Sequence, residues 1–289
     1  MNIKNIILEI IRYIIVIFIA LCIIFLVAIN KAKITILDKE YVLEKLEESE
    51  YYLNIFDEVY SDFSSYTMQS GFDNTILSNI VSQSKVIDDT KLIINNIYDG
   101  TNQKVETTSI RENLDKNIEN FLNVNGLTAE KNSLKEFDNL MVSTYIGTIN
   151  SYDKAETTAN KILSKINNVI NKLNIILKVI VVLLTIVLIA TCIFKYFKLI
   201  SLIGDGMLFI GIILIIGKLF VDSLICFDKL LVLNKSLTIT LKYIYEDITY
   251  NIIPVGIITS IIGIVLIFVG NYVYLKSRDT KYKLLNKKN

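Results

Sequence analysis

Leu199–Phe220 reads LISLIGDGMLFIGIILIIGKLF. It has the length of a transmembrane helix, since about 20 apolar residues cover a hydrocarbon layer of roughly 30 Å. Asp205 and Lys218 interrupt it. Its status decides which side of a membrane the rest of the chain occupies, because every crossing reverses the side. Three other stretches are less ambiguous. Tyr13–Asn30 carries no charge, nor does Val179–Phe194 within a longer apolar stretch from Leu173, nor anything between Ile248 and Leu275.

Charge resolves the doubtful stretch. The tail Lys276–Asn289 holds six Lys/Arg and one Asp. With Leu199–Phe220 counted as a span, both termini share a side. The tail, Lys195 and Lys198 then all lie in the cytoplasm, as the positive-inside bias requires. With three spans the tail would sit outside. With four spans Tyr196, Phe197, Tyr272 and Tyr274 fall at the inner interface, where aromatic rings prefer to sit. A cleaved signal peptide is the competing reading of the first span; its length and the lack of a small-residue cleavage site favour an uncleaved anchor.

The expected architecture is therefore an all-α integral membrane protein with four transmembrane helices. An extracytoplasmic helical bundle is inserted between helices 1 and 2. Residues 1–30 form a cytoplasmic end and helix 1, and 31–172 the extracytoplasmic domain. Residues 173–275 hold helices 2–4 (173–194, 199–220 and 250–275) with an outer loop 221–249, and 276–289 a basic cytoplasmic tail. The location is the cell membrane. Composition agrees: 52% of the 289 residues are hydrophobic and the mean hydropathy is +0.48, with the apolar residues gathered at the N-terminus and in the last third.

Periodicity near 3.6 marks helices in the inserted domain. Val42, Leu46, Leu53, Phe56, Tyr60 and Phe63 make a stripe from Asp38 to about Gln69, ended by Gly71. Short helices follow around 76–81 and 85–98, the second stopping at Asp99-Gly100. Ser109 and Glu112 fit a capping box ahead of Ile110, Leu114, Ile118 and Phe121, and a further helix runs from about Thr128. From Ser151 to Phe194 no Gly or Pro intervenes, which predicts one rod running into the second span. In the outer loop, Ser236 can cap a helix carrying Leu237, Leu241, Ile244 and Ile248. Such a helix either lies on the outer leaflet or under the outer domain, or extends the fourth span.

Several function classes are unsupported. There is no His, which removes imidazole bases, Ser-His and Cys-His nucleophiles and His-ligated zinc. Residues 31–172 hold 22 Asp/Glu against 15 Lys/Arg, a balance of −7, which argues against nucleic acid. That domain has no Cys, so packing alone must hold it. The acidic run Glu44, Glu47, Glu48, Glu50 lacks the order of a calcium loop, and Gly204-Asp205-Gly206 is not followed by the G-K-[ST] of a phosphate loop. No catalytic residue, metal site or cofactor is expected, and the chain does not read as an enzyme.

Two kinds of residue remain as candidates. Asp205 and Lys218 are intramembrane ionisable residues, which mark functional sites by default. The plainer reading pairs Lys218 with Asp222 one turn on, and lets Lys195 or Lys198 reach toward Asp205. Small residues stripe two spans: Gly204 and Gly211 on the third, Gly256, Ser260, Gly263 and Gly270 on the fourth. Such faces let helices approach closely in lipid, either within the chain or between copies.

The leading expectation is a non-enzymatic envelope protein whose outer domain binds a protein or envelope component in assembly or sensing. Its partners are the bilayer and a protein partner or second copy. The alternative is a transporter or channel component with Asp205 and Lys218 facing a polar path. One span, a large outer domain and three more spans are similar in layout to the permease subunits of mechanotransmitting ABC transporters. The chain departs from that layout in its inner loop of a few residues and its lack of a cytoplasmic coupling helix.

Overall fold

The computed structural model describes residues 3–150, 155–193, 195–225 and 235–286. Every regular element among them is helical: α1 Ile3–Lys33, α2 Lys39–Glu48, α3 Tyr51–Gln69, a 3₁₀ turn Asn74–Leu77, α4 Gln83–Asp99, α5 Thr108–Asn125, α6 Lys131–Ile149, α7 Ala155–Cys192, α8 Tyr196–Leu224, α9 Lys235–Thr249 and α10 Ile252–Asn286. The chain divides into two compact units. One contains Met1–Ile34, Asn168–Lys229 and Tyr245–Asn289, the other Thr35–Asn167 and Leu230–Ile244.

Four helical stretches are long and apolar enough to cross a membrane: Ile3–Lys33, Ala159–Cys192, Tyr196–Leu224 and Lys235–Arg278. At most 22% of the residues in their most apolar windows are buried inside the chain. Side chains such as Phe18, Val182, Ile216 and Phe268 point outward instead. So much exposed apolar surface is stable only in lipid, where helices satisfy their own peptide groups. The doubtful stretch 199–220 lies wholly inside α8.

The second unit has a conventional core. Ile55, Val59 and Phe63 of α3 meet Val86 and Ile93 of α4, Ile110, Leu114 and Ile118 of α5, and Met141 and Tyr145 of α6. Their spacings of four and seven put each set on one helix face. Phe72 bridges α5 and α6, its ring centroid 5.7 Å from Phe121 and 5.2 Å from Phe137. Helix ends follow local chemistry. Asp38 accepts from Tyr41 N (2.9 Å) and Ser82 from Lys85 N (3.1 Å), each satisfying an orphan N–H of a first turn. Gly100 (φ 70°) and Gly126 (φ 62°) close α4 and α5 in the left-handed conformation that glycine adopts without strain. Buried Asn96 accepts from Thr101 Oγ1 (2.7 Å) and Gln103 N (3.1 Å) and donates to Gln103 O (2.8 Å), clipping down the loop after α4.

The structure corrects the sequence reading in four places. The single stripe from Asp38 to Gln69 is two helices, broken at Ser49–Glu50 where Glu50 takes φ 56°. The Ser109–Glu112 capping box is not used: α5 begins at Thr108, and the carboxylate of Glu106 accepts from Thr108 N. The helix expected from Thr128 starts at Lys131. Ser236 lies within α9, and its N–H (3.1 Å) and hydroxyl both donate to Glu58 of α3. The continuous rod is described from Ala155 to Cys192, 38 residues; residues 151–154 and 194, also assigned to it, lie outside the described residues.

The bond from Ser236 places the first part of α9 in the polar unit. Thr240 shares a 2.8 Å hydrogen bond with Ser49 at the end of α2. Leu237 packs against the core, and Tyr243 OH donates to Glu48 at 3.3 Å. Ser236 and Thr240 are both about 1% exposed. A turn at 250–251 separates α9 from α10.

Candidate functional site

α8 and α10 run antiparallel along a seam of small residues. A Cβ built on Gly204 would stand 2.7 Å from Gly263 O and 2.8 Å from Ile267 N, and one on Gly263 2.6 Å from Leu208 N. A Cβ on Gly211 would stand 2.8 Å from Ser260 N, one on Gly256 3.0 Å from Gly211 O, and one on Gly270 2.8 Å from Ser201 N. Ser260 donates to the carbonyl of Gly256 (2.9 Å), so its hydroxyl is satisfied inside the seam. Gly256, Gly263 and Gly270 recur every seven residues, the period that keeps one face of a helix on a partner crossing at a shallow angle. All six small residues noted in the sequence therefore meet within one chain.

Asp205 and Lys218 are not brought together. Lys218 Nζ pairs with Asp222 one turn on, donates to Tyr245 OH (3.4 Å) and lies 4.6 Å from that ring's centroid. Tyr245 OH donates to Asp222, closing a three-residue network. Asp205 is half-buried and makes no ion pair among the described residues. Lys198, which the sequence offered as its partner, pairs with Glu9 instead.

That pair belongs to a cluster the sequence reading overlooked. Arg12 is only 3% exposed. Its Nη1 donates to Glu9 Oε1 (3.0 Å) and its Nη2 to the carbonyl of Thr191. α7 ends at Cys192, so that carbonyl has no partner within its own helix, and the end of a helix attracts a cation. Lys198 pairs with Glu9 and lies 6.0 Å from the centroid of Tyr13. The available signal was a carboxylate and a guanidinium three residues apart at the start of an apolar run, the spacing that makes helix neighbours.

Next to this cluster lies a cavity of about 260 Å³ between α1, α7 and α8. Val16, Ala20, Thr185, Leu188, Leu202 and Gly206 are among the residues around it, and Thr185 is the one hydroxyl-bearing residue of the lining. Neither Asp205 nor Lys218 lines it.

The polar unit has a site of another kind. An open groove of about 470 Å³ runs between the 3₁₀ turn and α5, lined by Asp73, Thr75, Asn117, Asn120, Phe121 and Val124, with Asn125. Asn117 Nδ2 donates to Ile76 O (2.9 Å) and Ser78 O (2.8 Å), which fixes the turn against the helix. Val124 is 85% exposed, and Leu127 and Met68 are exposed in the same unit.

Deeper in this unit the Tyr145 hydroxyl donates to Asp89, which Lys85 approaches at 3.1 Å. Burial first, and the Asp89 carboxylate second, push the Tyr145 phenol far above its usual range. Burial also raises the Asp138 carboxyl, against the opposing pull of Arg111. Among the described residues no three His, Cys, Asp or Glu gather as a metal site, and Cys22 and Cys192 are free thiols.

Comparison with protein-family models, curated proteins and solved structures gives no match. The functional reading therefore rests on these sites alone.

Proposed function

We propose that the protein is a multi-pass membrane anchor whose polar helical unit, held on the extracytoplasmic face, binds a protein or another envelope component. The observation that carries this is the groove between the 3₁₀ turn and α5, with its amide-rich walls and an outward-facing Val124. The orientation rests on the basic tail and the Lys195–Lys198 turn, which favour the cytoplasm, and on the acidic balance of residues 31–172. The role is non-enzymatic binding. Lys218 has a structural duty in its network with Asp222 and Tyr245.

The test places a photoreactive side chain at Val124 of the full chain in its native membrane, with a matching probe on an exposed residue of α6 as control. The expected result is one discrete crosslinked product from position 124, lost when Asn120→Asp is added. Equal crosslinking from both positions, or none from either, would defeat the reading. Reporter tags near position 110 and after Asn289 should lie in opposite compartments.

A further inference from the structure

We infer that the cavity between α1, α7 and α8 holds one acyl chain of an anionic phospholipid, with the lipid phosphate bound by Lys198. This rests on the reading of these helices as membrane spans and is separate from what the polar unit binds.

The first argument is space. α1 and α8 already touch on one side of the cavity: a Cβ on Gly206 would stand 3.0 Å from Val16 Cγ1. α1 and α8 therefore cannot move closer to close the remaining 260 Å³. The space is partly open to the helices' apolar surroundings, and water would find a single hydroxyl, that of Thr185, among the lining side chains. A hydrocarbon chain is the material of the surrounding solvent and fits an apolar wall without losing a hydrogen bond.

The second argument is length and position. Along α8 the lining runs from Leu199 to Ile210, a rise of roughly 16 Å at 1.5 Å per residue. That is close to half of a hydrocarbon core of about 30 Å, the depth of one leaflet. The cavity thus spans one leaflet and begins where α8 leaves the interface.

The third argument is charge. The end of the cavity near Val16, Leu188 and Leu199 is where Arg12, Lys195 and Lys198 gather against one carboxylate, Glu9. Arg12 is enclosed, and its Nε–H has no acceptor, so three cations face one carboxylate with a buried donor unmet. The Lys198 side chain is 27% exposed; beyond its contact with Glu9 an ammonium has protons left to donate. Glu9 holds Lys198 beside the ring of Tyr13, so the ammonium is positioned before any lipid arrives. A phosphodiester at this point completes the set while its chain enters the apolar wall.

The experiment uses the full chain, purified in a neutral detergent and offered equal amounts of dioleoylphosphatidylglycerol and dioleoylphosphatidylcholine, with retained lipid read by native mass spectrometry. One phosphatidylglycerol per chain is expected, favoured over phosphatidylcholine by about fivefold, the weight of one lysine at an anionic surface. Lys198→Gln should bring that ratio close to one while a lipid is still retained. Thr185→Phe, which fills the cavity from its rim, should lose both lipids. Equal retention of the two lipids by the wild type, an unchanged ratio in Lys198→Gln, or a lipid-free dimer would each overturn the inference. Resistance of the chain to alkaline extraction from membranes is read in parallel. Loss of that resistance would strike the span reading itself, whereas a membrane-held chain that retains no lipid would strike only this inference.

Discussion

The carbonyl oxygen of Gly263 lies 2.7 Å from where a Cβ on Gly204 would stand. The α8 and α10 backbones are thus in direct contact, with no side chain between them. In lipid, where apolar burial gives no drive to associate, such closeness supplies the packing that joins helices. Gly204→Val or Gly263→Val should cost about 1–3 kcal/mol or more by overpacking, seen as a lowered Tm of the full chain in detergent. Gly217→Ala is the control, since nothing lies within 4 Å of its added methyl. An unchanged Tm in the valine variants would show that the seam bears no load.

Ser236→Ala removes the hydroxyl's bond to Glu58 and leaves the one donated by the backbone N–H. A hydrogen bond to a charged acceptor contributes about 1.5–3 kcal/mol, and partial exposure of Glu58 puts the loss at the lower end. Hydrogen exchange should quicken in residues 235–244 and along α3 near Glu58. Faster exchange confined to Ser236 itself would mean that α9 stays docked through Thr240 and Leu237.

Tyr52→Phe should be neutral or stabilising, by up to about 1 kcal/mol. The Tyr52 hydroxyl is buried without a hydrogen-bond partner, so it adds a desolvation cost and no bond. The ring's contact with Lys91, 5.6 Å from the centroid, survives in phenylalanine. Denaturant unfolding checks this; a loss of stability would reveal a partner for that oxygen.

The polar unit should be sensitive to alkali. Burial, and then the nearby Glu58, push the Tyr51 phenol from 10.0 up to about 12. Burial first raises Tyr52 and Tyr98 to about 12 as well. The neutral phenol is the form the fold favours, and the unfolded chain ionises first as pH rises. The stabilisation is therefore complete below pH 10 and is lost as pH climbs from 10 to 12. For Tyr51 alone, two pH units are about 2.7 kcal/mol. Circular dichroism should show an unfolding step in that window, moved to higher pH by Tyr51→Phe. A midpoint unaffected by that substitution would remove Tyr51 from the account.

Much of this architecture was legible because two physical signals are strong. Uninterrupted apolar runs forced α1, α7 and α10, and the periodic face of Ile110, Leu114 and Ile118 marked a helix and its buried side at once. The glycine spacing on two spans was visible too, although only coordinates pair Gly204 with Gly263. What was hidden depends on contacts distant in sequence. The break at Glu50 has no glycine to announce it. Glu106 displaced a locally complete capping box. Ser236 looked like a helix cap because its partner, Glu58, is 178 residues away. Lys198 reached Glu9 rather than the nearer Asp205, since α1 lies beside α8, a fact no single helix pattern contains. The cavity left no trace in the sequence at all, because a void is made by what three helices fail to fill.

The place of α9 bears on how this protein is made. The polar unit draws on residues 35–167 and again on 230–244, and between them the ribosome must deliver α7 and α8. Its last wall can be added only after those two helices have been synthesised. Maturation of the polar unit is thereby timed to membrane integration, and a fragment ending at residue 167 would leave Ser49 and Glu58 facing water where α9 belongs.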